Sequence, residues 1–190
     1  MPSHSNSFRN ASGVTVWFTG LTSAGKSTLS SAVARKLKQT GAAVELLDSD
    51  IVRQKLCAEL GFSHRDREEN VRRLAFVAEL LARNGVIVLV AAVSPYRALR
   101  EEIRNNSSNF LEVYVNAPLE ICEWRDVKGL YRRARSGEIR DFTGIDDIYE
   151  PPLHPEVECR TDVETVETCV EKVVARIVVQ TQLAHAQVTG

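Results

Sequence analysis

Apolar and polar positions alternate along this chain between short hydrophobic runs and longer stretches of helical period. Val14 to Phe18, β-branched and aromatic, predicts a buried strand. Ser27 to Thr40 then carries Leu29, Val33 and Leu37 at helical spacing, with Gly41 as its stop. Val44 to Leu47 reads as a short strand that ends in Asp48-Ser49-Asp50. Asp66 to Asn84 returns to the helical period through Val71, Leu74, Val77 and Leu81, and Asn84-Gly85 closes it. Val86 to Val93 is continuously apolar, the pattern of a strand covered on both faces, and it stops at Ser94-Pro95. A helix from Tyr96 to Asn105, a strand from Leu111 to Val115 and a helix from Leu119 to Trp124, with Pro118 at its first turn, follow. A last strand, Val157 to Thr161, precedes a closing helix from Val163 to about Leu183.

Strands that alternate with helices predict an α/β fold, a doubly wound parallel sheet flanked by helices and joined by right-handed crossovers. At 190 residues the chain is sized for one domain, placed at residues 14–183 between a polar tail, 1–13, and a short tail, 184–190. The composition, 44% apolar and 26% charged, is that of a soluble globular protein. No run is long and apolar enough for a bilayer, and the first dozen residues lack the apolar centre of a secretion signal, so a cytoplasmic protein is expected. A net charge of −1 argues against nucleic-acid and membrane partners. Cys57, Cys122, Cys159 and Cys169 lie far apart and form no metal spacing, which makes them buried thiols. His4, His64, His154 and His185 do not cluster, so the chemistry does not rest on histidine.

Between the first strand and the first helix stands Gly20-Leu21-Thr22-Ser23-Ala24-Gly25-Lys26-Ser27, a complete G-x-x-x-x-G-K-[ST], followed by Thr28. Strand before and helix after are the setting in which this motif cradles a polyphosphate. Backbone N–H groups and the helix N-terminus hold the anion, Lys26 reaches the β- and γ-phosphates, and the Ser27 hydroxyl helps hold Mg²⁺. The reading is a P-loop NTPase fold that binds ATP.

What becomes of the γ-phosphate depends on the acids. The long apolar strand ends in Ser-Pro rather than in a carboxylate, whereas Asp48 and Asp50 follow the second strand. That placement suits a small-molecule kinase in which Asp48 or Asp50 organises Mg²⁺ through water and orients a hydroxyl; a turn Asp48 and a helix-capping Asp50 fit the same letters. Arg53 falls one helical turn after Asp50, and Phe62, Arg65 and Arg67 cluster just beyond. An aromatic face beside arginine forks suits an acceptor with a flat base and an anion, although Phe62 also fits a core position and the arginines a solvated face. Between Arg125 and Arg140 six cations face Asp126 and Glu138, which reads as a solvated helix face or, after a phosphate loop, as an anion-closing lid over residues 126–147.

The segments GLTSAGKST, LLDSDIVRQKL, LGFSHRDREENVRR, VSPYRALR and RDVKGLYRRARSGEIRDFTGIDDIYEPP, spread from Val14 to Thr161, resemble adenylylsulfate kinases. These enzymes use MgATP to phosphorylate the 3′-hydroxyl of adenosine 5′-phosphosulfate (APS), giving PAPS and ADP in sulfate activation. The resemblance implies that Gly20 to Thr28 bind ATP and that Asp50, Arg53, Phe62, Arg67, Asn70, Val93, Ser94, Lys128 and Phe142 contact APS, with Phe62 and Phe142 enclosing its adenine. It implies catalytic parts for Lys26, Asp50, Ser94 and Lys128, Mg²⁺ as the cofactor, a homodimer, and dependence on an ATP sulfurylase for APS. In the family the serine matching Ser94 is also described as a phosphoserine intermediate, whereas in-line transfer from ATP asks only that it bind. Two positions depart from the family pattern, Ser49 for glycine between the acids and Asp141 before Phe142. A kinase for another small nucleotide or sugar, and a non-catalytic nucleotide binder, are the alternatives.

Overall fold

The computed structural model describes residues 13–188, so the expectations for residues 1–12 and 189–190 lie outside the described residues. Five strands, β1 (Val14–Thr19), β2 (Val44–Asp48), β3 (Ile87–Ala91), β4 (Phe110–Asn116) and β5 (Val157–Arg160), form one sheet in the order β2-β3-β1-β4-β5. Every neighbouring pair is parallel. The chain leaves β1 for the edge strand β2, returns to place β3 between the two, and then crosses to the other side of β1, which puts the topological switch beside β1, whose carboxyl end carries the phosphate-loop motif.

All six residues of β1 and all five of β3 are buried, because helices cover both faces of the sheet. Val14, Val16 and Phe18 face α1 (Lys26–Lys38) and α7 (Val166–Val188), meeting Leu29, Val33, Leu37, Val173 and Ile177. Trp17 lies in the other layer, with Leu74 and Ala78 of α3 (His64–Ala82) and Leu99 and Ile103 of α4 (Arg97–Asn106). Each fully buried aliphatic side chain contributes about 1.5–3 kcal/mol over exposure, so the two layers fix the strand ends on which the loops stand.

Some boundaries differ from the pattern. Helix α3 starts at His64, two residues early, because the Ser63 hydroxyl accepts from the Asp66 N–H at 3.2 Å and caps it. Helix α7 starts at Val166, since the Thr165 hydroxyl accepts from the Thr168 N–H, and it runs on to Val188 beyond the expected stop. Two short helices escaped the periodicity. One is α2 (Ser49–Leu56), which buries no side chain and is capped by Asp48. The other is α6 (Leu130–Arg135), which follows α5 (Leu119–Arg125). Its first N–H groups, of Tyr131 and Arg132, donate to the Asp126 carboxylate at 3.0 Å each. All four cysteines are free and buried. Among the described residues no helix is long and apolar enough to cross a membrane.

Candidate active site

The loop from β1 to α1 turns where a side chain is excluded. Gly20 has φ 150, and a Cβ there would lie 2.3 Å from the Val115 carbonyl oxygen; Gly25, φ 107, is the left-handed N-cap of α1. Lys26 folds back over this loop and donates from Nζ to the carbonyls of Gly20 at 3.0 Å and Leu21 at 2.8 Å. Burial pushes its pKa down to about 8, against the opposing pull of the Asp50 carboxylate.

The acids stand across the cleft at the carboxyl end of β2. Asp48 accepts from the Ser27 hydroxyl at 2.6 Å through one oxygen, and through the other from the Asp50 N–H at 3.0 Å, capping α2. Asp48, not Asp50, is thus the helix cap, and Asp50 stands in the first turn of α2. Asp50 is ion-paired with Lys128 of the basic segment. Thr22 to Thr28, Asp48, Asp50, Val93 and Lys128 line one cleft of about 380 Å³ at the carboxyl edge of the sheet. A triphosphate at the head of α1 would meet Lys26, the hydrogen-bonded Ser27 and Asp48, and the Asp50–Lys128 ion pair.

The remaining candidates sit beside this cleft. Arg53 lies over the Phe62 ring, 4.4 Å from its centre, and donates to the carbonyls of Leu60, at 3.1 Å, and Gly61. Phe62 itself is 69% exposed, which removes the core reading of that ring. Arg67 donates to Asp147 at 2.6 Å, to the Thr143 hydroxyl at 2.8 Å and to the Phe62 carbonyl at 3.0 Å. Asn70, buried on α3, donates to the Ser49 hydroxyl at 3.2 Å, and its carbonyl oxygen has no partner among the described residues. Ser49 thus fills the departure from Asp-Gly-Asp with a hydrogen bond, at a position inside α2 that needs no positive φ.

Phe142 belongs to the core and meets Tyr131 edge-on at 5.1 Å. Asp141, just before it, does adopt positive φ, 54, the conformation that glycine and asparagine favour. Ser94 is buried below the cleft floor rather than on it; its hydroxyl accepts from the Trp17 indole at 2.9 Å and donates to Thr19 at 3.1 Å. The cleft is completed by residues that periodicity did not single out, Arg125, Val127, Thr161, Glu164, Val166 and Cys169. Arg125 donates to the Thr161 carbonyl at 2.6 Å, and Thr161 stands at the carboxyl end of β5, the one position that the strand pattern alone could have flagged.

A model of the family described as "Adenylylsulphate kinase" matches residues 12–160. The chain belongs to the adenylylsulphate kinase family. An adenylyl-sulfate kinase of Rippkaea orientalis is 62% identical over 161 residues, 85% of this chain and 89% of that protein. One of Microcystis aeruginosa is 64% identical over the same shares. The solved APS kinase of Mycobacterium tuberculosis, in complex with AMPPNP and APS, superposes with a TM-score of 0.83 at 44% identity, over 88% of this chain and 98% of the other. This adenylylsulphate kinase is accordingly an ATP-dependent P-loop enzyme that makes PAPS from APS and ATP.

Proposed function

We propose that the transferred group passes in line from ATP, seated at the head of α1, to the 3′-hydroxyl of APS held between the cleft and the lid. The observation that carries this is the convergence of Lys26, Ser27, Asp48, Asp50 and Lys128 on one cleft at the switch point of the sheet. The loop amides and Lys26 bind the β- and γ-phosphates. Nζ now donates to the carbonyls of Gly20 and Leu21, acceptors whose place the phosphates would take. Asp50 orients the attacking hydroxyl, and Lys128, on the lid, brings a second cation toward the charge that develops on the phosphoryl oxygens.

The Ser27 hydroxyl and the Asp48 carboxylate, 2.6 Å apart, offer the oxygen donors that Mg²⁺ prefers, with room for waters and phosphate oxygens. Asp50, whose N–H donates to Asp48, would join them through water. When bound, the ion neutralises the polyphosphate and fixes its geometry.

On the acceptor side, Phe62 and Phe142 enclose the adenine, and Arg53, Arg67 and Asn70 take the polar and anionic groups. Val93 forms the wall of the pocket, with Ser94 beneath it. Phe142, packed edge-on against Tyr131 at the border of the core, offers the purine the small part of its ring that stays exposed. Ser94 supports the wall and carries no phosphoryl group. The enzyme acts as a cytoplasmic homodimer and receives APS from an ATP sulfurylase.

The test is a coupled ADP-release assay with APS beside AMP, adenosine and gluconate. Turnover with APS alone, yielding PAPS, and a fall of about a hundredfold or more in Lys26→Ala with the fold intact are expected. Turnover with gluconate or adenosine in place of APS overturns the acceptor assignment. Sedimentation of the purified protein checks the dimer, and fractionation of cells checks the compartment.

A further inference from the structure

The motif VSPYRALR is only partly absorbed by the cleft, which takes Val93 and no more of it. Its first turn is strained. Ser94 has φ 40, a conformation that a non-glycine residue keeps only when its surroundings over-determine it. Here they do. The Ser94 hydroxyl is held by Trp17 and Thr19, the Val93 carbonyl accepts from the Thr19 hydroxyl at 2.8 Å, and the Ser94 carbonyl accepts from Arg100 Nη1 at 2.7 Å.

Arg100, at the other end of the motif, is 2% exposed. Its Nε donates to Glu112 Oε1 of β4 at 2.8 Å, and its Nη2 donates to the Glu150 carbonyl at 2.6 Å. Glu112 is equally buried and also takes Arg104 at 3.2 Å. The carboxylate settles the charge of the buried guanidinium, so the two carbonyl bonds are its directional part. Those carbonyls belong to two irregular segments, the turn below the cleft wall and the stretch just past the lid. Glu150 is fastened to the same turn twice more, by its N–H to the Pro95 carbonyl at 2.9 Å and by its carboxylate, which accepts from the Arg97 N–H at 2.6 Å.

We propose that Arg100 is a positioning residue for phosphoryl transfer: one buried guanidinium locks the turn at Ser94 and the root of the lid at Glu150 into a single rigid unit. The acceptor wall is thereby set before the lid closes over it. Arg100 touches neither the nucleotide cleft nor the loop that holds the triphosphate. Its loss therefore acts on the acceptor side. The proposal rests on the acceptor assignment above.

Arg100→Lys keeps a cation opposite Glu112 but offers a point charge where the fork held two carbonyls. In this variant kcat/KM for APS falls about ten- to a hundredfold, while the dissociation constant for ATP stays at the wild-type value. Amide exchange at Glu150, whose N–H is bonded to Pro95, speeds up in the ligand-free protein. Arg97→Ala, which removes two guanidinium bonds to the Pro151 carbonyl, shifts both readouts the same way by less and covers the case that Arg100→Lys does not fold. A lowered melting temperature with wild-type kinetic constants per folded molecule, or an equal loss of ATP affinity, overturns the proposal. If the wild type makes no PAPS, the acceptor assignment has failed, and the exchange measurement still decides on the clamp.

Discussion

Lys26 is a cation paired with carbonyl dipoles, and burial pushes its pKa down to about 8 from 10.5. Because the folded value is the lower one, the charge costs stability below pH 8, and that cost fades as pH rises from about 8 to 10.5. A bound polyphosphate restores the ammonium, so ATP binding just above pH 8 takes up protons and binding at clearly lower pH does not involve this group. Calorimetry in buffers of different ionisation enthalpy measures the uptake, and Lys26→Met abolishes it. Ser94 gives a second expectation. Ser94→Ala strands the buried indole N–H of Trp17 and costs about 1–3 kcal/mol in denaturant unfolding, yet PAPS formation persists and no label from γ-phosphate-labelled ATP stays on the wild-type protein. The phosphate loop and the paired acids were legible residue by residue because their chemistry demands particular letters. The burial of Ser94 and Phe142 was not, since a hydroxyl or a ring carries no mark of which way it turns.

The proposed lid, residues 126–147, is held to the core at two points. Tyr131 is 1% exposed and Phe142 9%, and both join the core, while Lys128, Arg132, Arg133 and Arg135 stand outside it. On the proposed function, closure would pivot on the buried rings while the cationic stretches travel. Hydrogen exchange should show strong protection of residues 126–130 and 136–141 when ATP and APS are both bound, with little change at the amides of Tyr131 and Ala134, which are covered already. Uniform exchange with and without ligands would contradict the pivot. The helix within the lid was invisible to periodicity because six residues give less than two turns, and its start depends on a carboxylate cap rather than on an apolar stripe. The long helices α1 and α3, with three or more turns of spaced apolar residues, were readable to within two residues at each end.

At the scale of the whole molecule the strand order explains why one motif could announce the rest. The two central apolar strands, β1 and β3, lie side by side, and the loops at their carboxyl ends carry the phosphate loop and Val93 to the same cleft. Alternation of strands and helices made the parallel sheet legible, whereas contacts between elements, such as those of Arg100 on α4 with Glu112 on β4 and with the Glu150 carbonyl, leave no local pattern. The hydrogen bond from Trp17 to Ser94 also equips the enzyme with its own spectroscopic reporter. The chain has two tryptophans, and Trp124 is 83% exposed, so Trp124→Phe leaves fluorescence from Trp17 alone. That emission should be blue, inaccessible to iodide, and altered by APS but scarcely by ATP, a light signal from beneath the floor of the reaction chamber that records its second guest.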